Sequence, residues 1–416
     1  MRLSRPKLAE GRASIARRRR RLWPAIGGLV VVVGAAVLLA SGGSSGNPRF
    51  EFGGVSVATT HAAGPVLATV HATRSPAFRP APAALSLADR LPLASQVSQL
   101  FMVTVDGTSA TAAATVGVPD VGGVVLSSSN FASNGQVAAL VSGLTSAAHS
   151  AGDQPLLIAA TQEGGSETAF RDLPPEPEPV IGATGQPAVA QVQARLAGER
   201  LRALGVNMTL APLADVDTLD GALSGRLFGT DPQSVAGFSV AAVEGYRAAD
   251  VISAVGHFPG AGAASADPDQ MSATVGLTLA QLRSRDLVPF AAVAPLAPVI
   301  VMSNASYVAF DGVTPAGLLS EAVQLLRRDY GFTGVVMTDD LDATLDATGS
   351  DPATVAVEAL EAGDDLLYIS GPPSEHAAAY HGVLAAAKRS AAVRALVRAA
   401  LLHVLTLKAR YGILPR

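Results

Sequence analysis

The stretch Gly331-Phe332-Thr333-Gly334-Val335-Val336-Met337-Thr338-Asp339-Asp340-Leu341 carries an unbroken apolar run, then three polar residues, then the start of an Ala- and Leu-bearing segment. Continuous hydrophobicity, as opposed to alternating hydrophobicity, belongs to a strand buried on both faces, as in a parallel sheet covered by helices. The same texture recurs outward along the chain at Leu100–Val105, Gly123–Leu126, Leu156–Ala160, Val206–Leu210, Ile252–Val255, Val299–Met302 and Leu366–Ile369; with Gly334–Met337 this makes eight runs. The segments between them are punctuated as helices. Asp231-Pro232 and Asp351-Pro352 each place an N-cap before a first-turn proline; the first helix is expected to end near Ala249 and the second at Gly363. Ser320 is expected to cap a helix running to Asp329, and Ala385–Leu407 reads as one amphipathic closing helix. Eight strand-helix units predict an α/β protein of the (β/α)8 TIM-barrel type over residues 88–416; a doubly wound sheet, usually of about six strands, is the alternative.

Barrel enzymes place their chemistry in the loops that leave the carboxyl ends of the strands. Those ends carry Asp106, Ser127–Asn130, Gln162-Glu163-Gly164-Gly165, Asp215 and Asp217, His257, Ser303-Asn304, Thr338-Asp339-Asp340 and Ser370-Gly371. With only 15% of residues charged, acids gathered at one rim point to a polar pocket.

The 416 residues contain no cysteine, which excludes a disulfide framework, a thiolate metal site and a cysteine nucleophile. A net charge of −4 makes a poor partner for nucleic acid, and 49% hydrophobic residues exclude a disordered protein. The charge is unevenly spread. Residues 1–21 hold nine Lys or Arg against one acid, Glu10, and the nineteen residues Leu22–Ala40 are uncharged and mostly apolar. That length approaches the ~20 residues needed to span a bilayer. The positive-inside rule then keeps residues 1–21 in the cytoplasm as a basic tail and exports the barrel, with 22–40 as a single-pass signal anchor; a cleaved signal peptide and a basic tail that merely touches RNA are the alternatives. Residues 41–87, rich in Ser, Gly, Ala, Pro and Thr, read as a flexible extracytoplasmic linker, with a short strand at Phe50–Val57.

The rim segments, in order over roughly residues 90–410, resemble glycoside hydrolase family 3, most closely its bacterial β-N-acetylglucosaminidase branch. The resemblance rests on Gly122-Gly123-Val124-Val125-Leu126, Gln162-Glu163-Gly164-Gly165, Leu204-Gly205-Val206-Asn207 with Ala211-Pro212 and Asp215-Val216, Arg226-Leu227-Phe228-Gly229 with Asp231-Pro232, His257-Phe258-Pro259-Gly260, and the 331–341 stretch. It implies a retaining glycosidase acting through two carboxyl groups, one attacking the anomeric carbon and one protonating the leaving oxygen. Asp339 falls on the family nucleophile; as a lone residue after a strand it reads equally as a helix N-cap, and Asp340 reads as a neighbour orienting the loop.

The family's proton-transfer pair, an Asp and a His in an Asp-Ser-His triplet, falls on Asp267 and Asp269. An aspartate can serve as general acid where burial raises its pKa, so both remain candidates, against a solvated surface loop. Arg226, His257, Glu163 and Asp215 are the substrate-binding candidates; a rim salt bridge is the alternative for Arg226 and a loop-holding role for His257. Other contact positions depart from the family: Thr161 stands for an Asp, Ala169 for an Arg (with Arg171 nearby), Gly256 for a Lys and Ala305 for a His. Loss of such charge-assisted contacts removes ~1.5–3 kcal/mol each.

No cofactor is implied. The seven histidines show no metal-ligand spacing, and neither a phosphate-binding glycine fingerprint nor a nucleophile elbow is present. Two functions remain. One is an anchored extracytoplasmic glycosidase whose carbohydrate substrate is a β-linked amino sugar, peptidoglycan-derived or an oligosaccharide. The other is a catalytically impaired barrel that binds glycan or a partner at the envelope.

Overall fold

The computed structural model describes residues 77–109 and 118–414. Eight parallel strands form one sheet: β1 (Phe101–Thr104), β2 (Gly123–Leu126), β3 (Leu157–Ala160), β4 (Met208–Thr209), β5 (Ile252–Phe258), β6 (Val299–Met302), β7 (Val335–Met337) and β8 (Leu367–Ile369). They lie in the order β7-β6-β5-β4-β3-β2-β1-β8. From β1 to β7 each neighbour is the next strand in the chain, and β8 pairs with β1, an order a doubly wound sheet does not give. The ends meet through one parallel bridge, Met337 to Leu366, with the Thr338 N–H donating to the Leu366 carbonyl at 2.9 Å, so the sheet is nearly closed into a barrel. Seven of the expected runs contain their strand and the eighth, Ile252–Val255, is the start of β5; side chains of both parities, such as Ile300 and Val336 outward and Val301 and Met337 toward the lumen, are buried. Each such burial contributes ~1.5–3 kcal/mol.

Helices α1 (Pro82–Arg90) and α2 (Leu93–Ser98) precede the barrel, and α3 (Asn134–Ala151), α4 (Glu178–Gly182), α5 (Pro187–Ala203), α6 (Pro232–Ala248), α7 (Leu279–Ser284), α8 (Leu287–Val293), α9 (Ser320–Gln324), α10 (Leu341–Thr348) and α11 (Pro352–Ala362) fill its crossovers. Helices α12 (Pro373–Arg389) and α13 (Ala391–Arg410) follow β8. Asp231 and Asp351 cap α6 and α11 as expected, accepting from the Ser234 N–H at 2.8 Å and the Ala353 N–H at 3.0 Å, and Gly363 ends α11 at φ 115°.

Four expectations need correction or relocation. Ser320 is the first residue of α9 and not its cap; the cap position is Leu319, without a side-chain bond, and the helix continues as a π-turn over Leu325–Asp329. The closing segment is two helices, because Ser390 is extended and caps α13 by accepting from the Val393 N–H at 3.3 Å. The boundary at residue 88 falls inside α1, whose Ala84 and Ala88 are buried and whose preceding Ala81 N–H donates to Thr406 Oγ1 of α13 at 3.1 Å. The tail, the anchor at 22–40, the strand at Phe50–Val57 and most of the linker lie outside the described residues; among those described, no helix is long and apolar enough to cross a membrane.

Strand parity decides what enters the barrel lumen, since successive side chains point to opposite faces. In β7, Val336 packs outward with Phe290 and Leu326, whereas Met337 lines the lumen at the carboxyl end. Asp339, two residues beyond Met337, projects the same way. In β5, Ala254 and Gly256 line the lumen, and strict alternation would turn His257 outward. Pairing with β6 runs Val255 to Ile300 and then Phe258 to Met302, so β5 carries one extra residue. Such a bulge re-aims a side chain; here it sends His257 into the pocket and Phe258 onto Phe290, ring centroids 5.3 Å apart.

Candidate active site

A pocket of about 210 Å³ opens at the carboxyl rim, lined on its floor by Leu210, Leu213, Ala254, Val301 and Met337 and on its walls by Glu163, Arg226, His257, Asp269, Asp339 and Tyr368. Glu163 comes from a short antiparallel hairpin, Gln162–Gly164 with Glu167–Thr168, that follows β3. Gln162 braces it by accepting from the Phe170 N–H at 2.9 Å and donating to the Phe170, Leu173 and Pro174 carbonyls.

Arg226 is the centre of an ion cluster. Its Nε and Nη2 donate to the two oxygens of Glu163 at 3.0 and 2.9 Å, and its Nη1 donates to Asp269 Oδ2 at 2.7 Å. With an Arg226 side chain only 11% exposed, the fork is largely out of water, where removing one partner costs ~3–5 kcal/mol. Burial alone would lower the Arg226 pKa, but Glu163 and Asp269 outweigh it and the guanidinium stays charged.

His257 sits between two aspartates. Its Nδ1 and its backbone N–H both donate to Asp215 Oδ2, at 2.9 and 3.0 Å, and its Nε2 lies 3.8 Å from Asp339 Oδ2. Burial opposes the charged ring, yet Asp215, then Asp339 and Asp269, push its pKa up to about 10, so it is an imidazolium. Asp215 is fully buried behind it, with Oδ1 accepting from the Ala261 N–H at 2.6 Å.

Asp339 accepts from the Asp340 N–H at 2.8 Å through Oδ1, while Oδ2 is buried with no hydrogen-bond partner. Burial, with Asp269 alongside, holds its carboxyl well above the usual carboxylate range despite His257. Asp269 is the opposite case: burial would raise it, but His257 and Arg226 hold it below its ordinary value. Carboxylate oxygens of Asp269 and Asp339 and a ring nitrogen of His257 lie within 4.8 Å of one another. Sequence spacing showed no such grouping because the end of β5, the loop that follows it and the loop after β7 assemble it. A cation there would meet a protonated His257 and the charge of Arg226, so its chemistry is that of an ion-pair cluster.

Asp340, not Asp339, is the N-cap of α10, accepting from the Asp342 N–H at 3.1 Å and from the Ser370 N–H at 2.9 Å; burial raises its pKa to about 6. The loop after β5 is pressed against the exit of β4: a Cβ at Gly262 would lie 1.9 Å from the Val216 carbonyl oxygen, and Gly260 adopts φ +120° with its Cα beside Asp286. Tyr307 fixes that loop by donating to the Gly260 carbonyl at 3.1 Å.

Of the seven catalytic and substrate-binding candidates read in the sequence, five line the pocket: Asp339, Asp269, Arg226, His257 and Glu163. Two do not. Asp215 is sealed behind His257 and positions it, so it cannot contact substrate. Asp267 turns into its own loop, accepting from the Asp269 N–H at 3.1 Å and from Gln270 Nε2 at 2.9 Å. Glu163 lines the pocket, but both its oxygens are taken by Arg226. Arg171 does not replace the arginine lost at Ala169: it lines a separate groove, and Ala169 is buried. Sequence reasoning missed Tyr368, whose signal was a polar aromatic inside an apolar strand. It also missed Glu178, which is buried near the Glu163–Arg226 pair and accepts from the Leu213 N–H at 2.9 Å; burial raises its pKa well above the ordinary value. Its setting, Pro177-Glu178-Pro179, reads as a solvated turn.

A parallel barrel that raises two carboxyl groups to this separation at its catalytic rim has the construction of a glycosidase. The chain belongs to glycosyl hydrolase family 3, its residues 92–407 matching that family's N-terminal domain. It is 36% identical over 265 residues to a beta-hexosaminidase of Stenotrophomonas maltophilia (strain K279a), covering 61% of this chain and 77% of that protein. The structure is similar to that of a β-N-acetylhexosaminidase from Beutenbergia cavernae, with TM-score 0.70 and 33% identity over 77% of this chain and 99% of the other. It also resembles a family 3 β-N-acetylglucosaminidase from Paenibacillus sp. (TM-score 0.71, 31% identity), covering 78% of this chain and 63% of that one.

Proposed function

We propose that the protein hydrolyses β-linked amino sugars with retention of configuration, through a glycosyl-enzyme on Asp339, outside the membrane to which residues 22–40 anchor it. The observation that carries this reading is that an oxygen of Asp339 and one of Asp269 face each other across the pocket no more than 4.8 Å apart, closer than a pair that must admit a water between them. Retaining enzymes hold their carboxyl groups ~5–5.5 Å apart, whereas inverting ones leave ~6.5–9.5 Å for a water. Relatives described as acting on hexosaminides support the sugar class. The pocket, at about 210 Å³, lies below the ~300–1,000 Å³ of sites for drug-sized ligands and suits one sugar ring, so hydrolysis would release single residues from a chain end. Peptidoglycan fragments fit the extracytoplasmic placement, which rests on the basic tail and apolar segment of the sequence.

In this reading Asp339 Oδ2, free of partners, attacks the anomeric carbon, and the group that protonates the leaving oxygen is Asp269, which faces it. His257 and Arg226 are placed to donate hydrogen bonds to sugar oxygens. The test is incubation of the full-length protein in detergent with aryl β-glycosides of N-acetylglucosamine, glucose and galactose. Preferential release from the first supports the amino-sugar reading; release from none removes it.

One observation favours the second reading, a glycan-binding barrel without turnover. Asp269 is paired to Arg226, which with His257 holds its carboxyl below the ordinary value and so disfavours the protonated form that a general acid needs.

A further inference from the structure

Across the pocket the two carboxyl groups are biased against the protonation states that double displacement needs. Burial and the adjacent Asp269 push the Asp339 carboxyl up, while His257 and Arg226 hold that of Asp269, the donor, down. The geometry that enforces this is one contact. Arg226 Nη1 donates to Asp269 Oδ2 at 2.7 Å, while Nε and Nη2 are fixed on Glu163. Glu163 is buried and rigidly held, so the guanidinium cannot follow Asp269; Asp269, with a 31% exposed side chain on a loop, is the partner that can leave. The other charged groups facing the pair are His257 and Asp339 across the pocket, Asp267 at 3.8 Å from Nη1, and Asp340 behind Asp339.

We propose that Arg226 is a substrate-released latch: an acceptor oxygen of the bound sugar takes Nη1, and the freed Asp269 takes up a proton across the pocket from Asp339. This rests on the glycosidase reading above. The proton leaves Asp339 Oδ2 for a carboxylate oxygen of Asp269, at most 4.8 Å away, directly or through one water. Asp339 is then an anion and Asp269 a neutral acid. Asp339 attacks the anomeric carbon, the glycosidic bond breaks, and its oxygen takes the Asp269 proton. Water then attacks the glycosyl-enzyme, giving one proton to Asp269 and its hydroxyl to the sugar, and Asp339 departs as carboxylate. When the sugar leaves, Arg226 recaptures Asp269 and the proton returns to Asp339. Protons and bonds balance to glycoside plus water giving sugar plus alcohol. An enzyme built this way is latent when empty and arms itself only around a ligand that can replace the Asp269 contact, which makes Arg226 a positioning residue for the proton as well as a contact for the sugar.

The test follows carboxyl carbons of ¹³C-aspartate-labelled full-length protein in detergent by NMR, over about pH 3 to 9, with Asp339→Asn and Asp269→Asn assigning the two signals. In the wild type Asp269 should titrate below the ordinary range and Asp339 above it. In Arg226→Met the Asp269 midpoint should rise by at least ~1 unit, about tenfold in proton affinity. Because that variant strands Glu163, the double variant Arg226→Met with Glu163→Gln gives the same reading with the buried side neutral. An unmoved Asp269 in both overturns the latch. Saturating N-acetylglucosamine added to the wild type should raise Asp269 and lower Asp339; binding that leaves both midpoints unmoved rejects substrate release. If the sugar fails to bind while the arginine variants still shift Asp269, the amino-sugar reading fails and substrate release by this sugar fails with it, while the electrostatic hold of Arg226 on Asp269 stands.

Discussion

Asp215 Oδ2 accepts two hydrogen bonds from one residue, the backbone N–H of His257 at 3.0 Å and its Nδ1 at 2.9 Å. A single buried oxygen thus fixes both the position and the tilt of the ring, and its charge keeps Nε2 protonated toward the pocket. Because His257 sits on a bulge, backbone alternation does not hold its direction; Asp215 does.

The Asp215 pair predicts a titration and a rate. With the charge removed in Asp215→Asn, the His257 ring should titrate at least ~2 units below its wild-type midpoint of about 10, read from its ring-proton NMR signals. Hydrolysis should fall ~10²-fold or more, mainly in kcat, because the ring loses the orientation it needs in the transition state. An unchanged midpoint would show that Asp215 holds only the backbone.

His257 and Lys408 make opposed demands on stability. His257 has its folded pKa raised from 6.5 to about 10, so its contribution is complete below pH 6.5 and is lost as pH climbs toward 10. Lys408, buried at the amino end of the barrel and donating to Gln99 Oε1 at 2.7 Å and the Pro155 carbonyl at 2.8 Å, has its pKa lowered by burial from 10.5 to about 7. The unfolded chain binds its proton more readily between those values, so the Lys408 term makes stability rise with pH there. Each shift is worth a few kcal/mol, on the order of 1.4 kcal/mol per unit. Denaturant unfolding should therefore show little net slope from these two groups between about pH 7 and 10, a falling slope in Lys408→Met and a rising one in His257→Gln. The same slope in all three proteins would refute the compensation.

Asp339→Asn separates catalysis from folding. Turnover should drop ~10³-fold or more, and a 2-fluoro glycosyl reagent that labels the Thr338–Leu341 peptide of the wild type should leave the variant unlabelled. The thermal midpoint should hold or rise, because a neutral amide replaces a carboxyl whose ionised form burial disfavours. A fully active variant would move the nucleophile elsewhere.

Much of this was legible in the chain. The strands could be read because a parallel barrel buries both faces of each, which writes apolar runs such as Val299–Met302 directly into the sequence. Asp339 was read by resemblance to the family nucleophile, since as a lone acid after an apolar run it reads equally as a helix N-cap. His257 was found by resemblance, yet its direction depends on a bulge that no local pattern marks. The partners were harder. Nothing near Arg226 announces that Glu163, 63 positions earlier, and Asp269, 43 later, will neutralise it. Asp215 and Glu163 were read as sugar contacts because an acid at the rim looks the same in sequence whether it faces the substrate or the residue that does. The break at Ser390 was missed because Ala and Leu on both sides continue the helical pattern without proline or glycine.

The final prediction separates Asp269 from Asp267, which the sequence left as equal candidates. Asp269 lies in the pocket, within reach of a leaving oxygen beside Asp339. Asp267 spends its oxygens on the Asp269 N–H and on Gln270, so its work is to shape the turn that carries Asp269. Asp269→Ala should therefore spare dinitrophenyl glycosides, whose leaving group departs without a proton, and should slow alkyl glycosides by ~10²–10⁴-fold, the range for general acid catalysis. Asp267→Ala should slow both kinds of substrate by a similar, smaller factor, on the order of tenfold, because losing a turn-capping hydrogen bond costs ~1 kcal/mol and disorders the donor without removing it. If the leaving-group dependence appears in Asp267→Ala instead, the loop must refold around the substrate and exchange the two aspartates across Pro268.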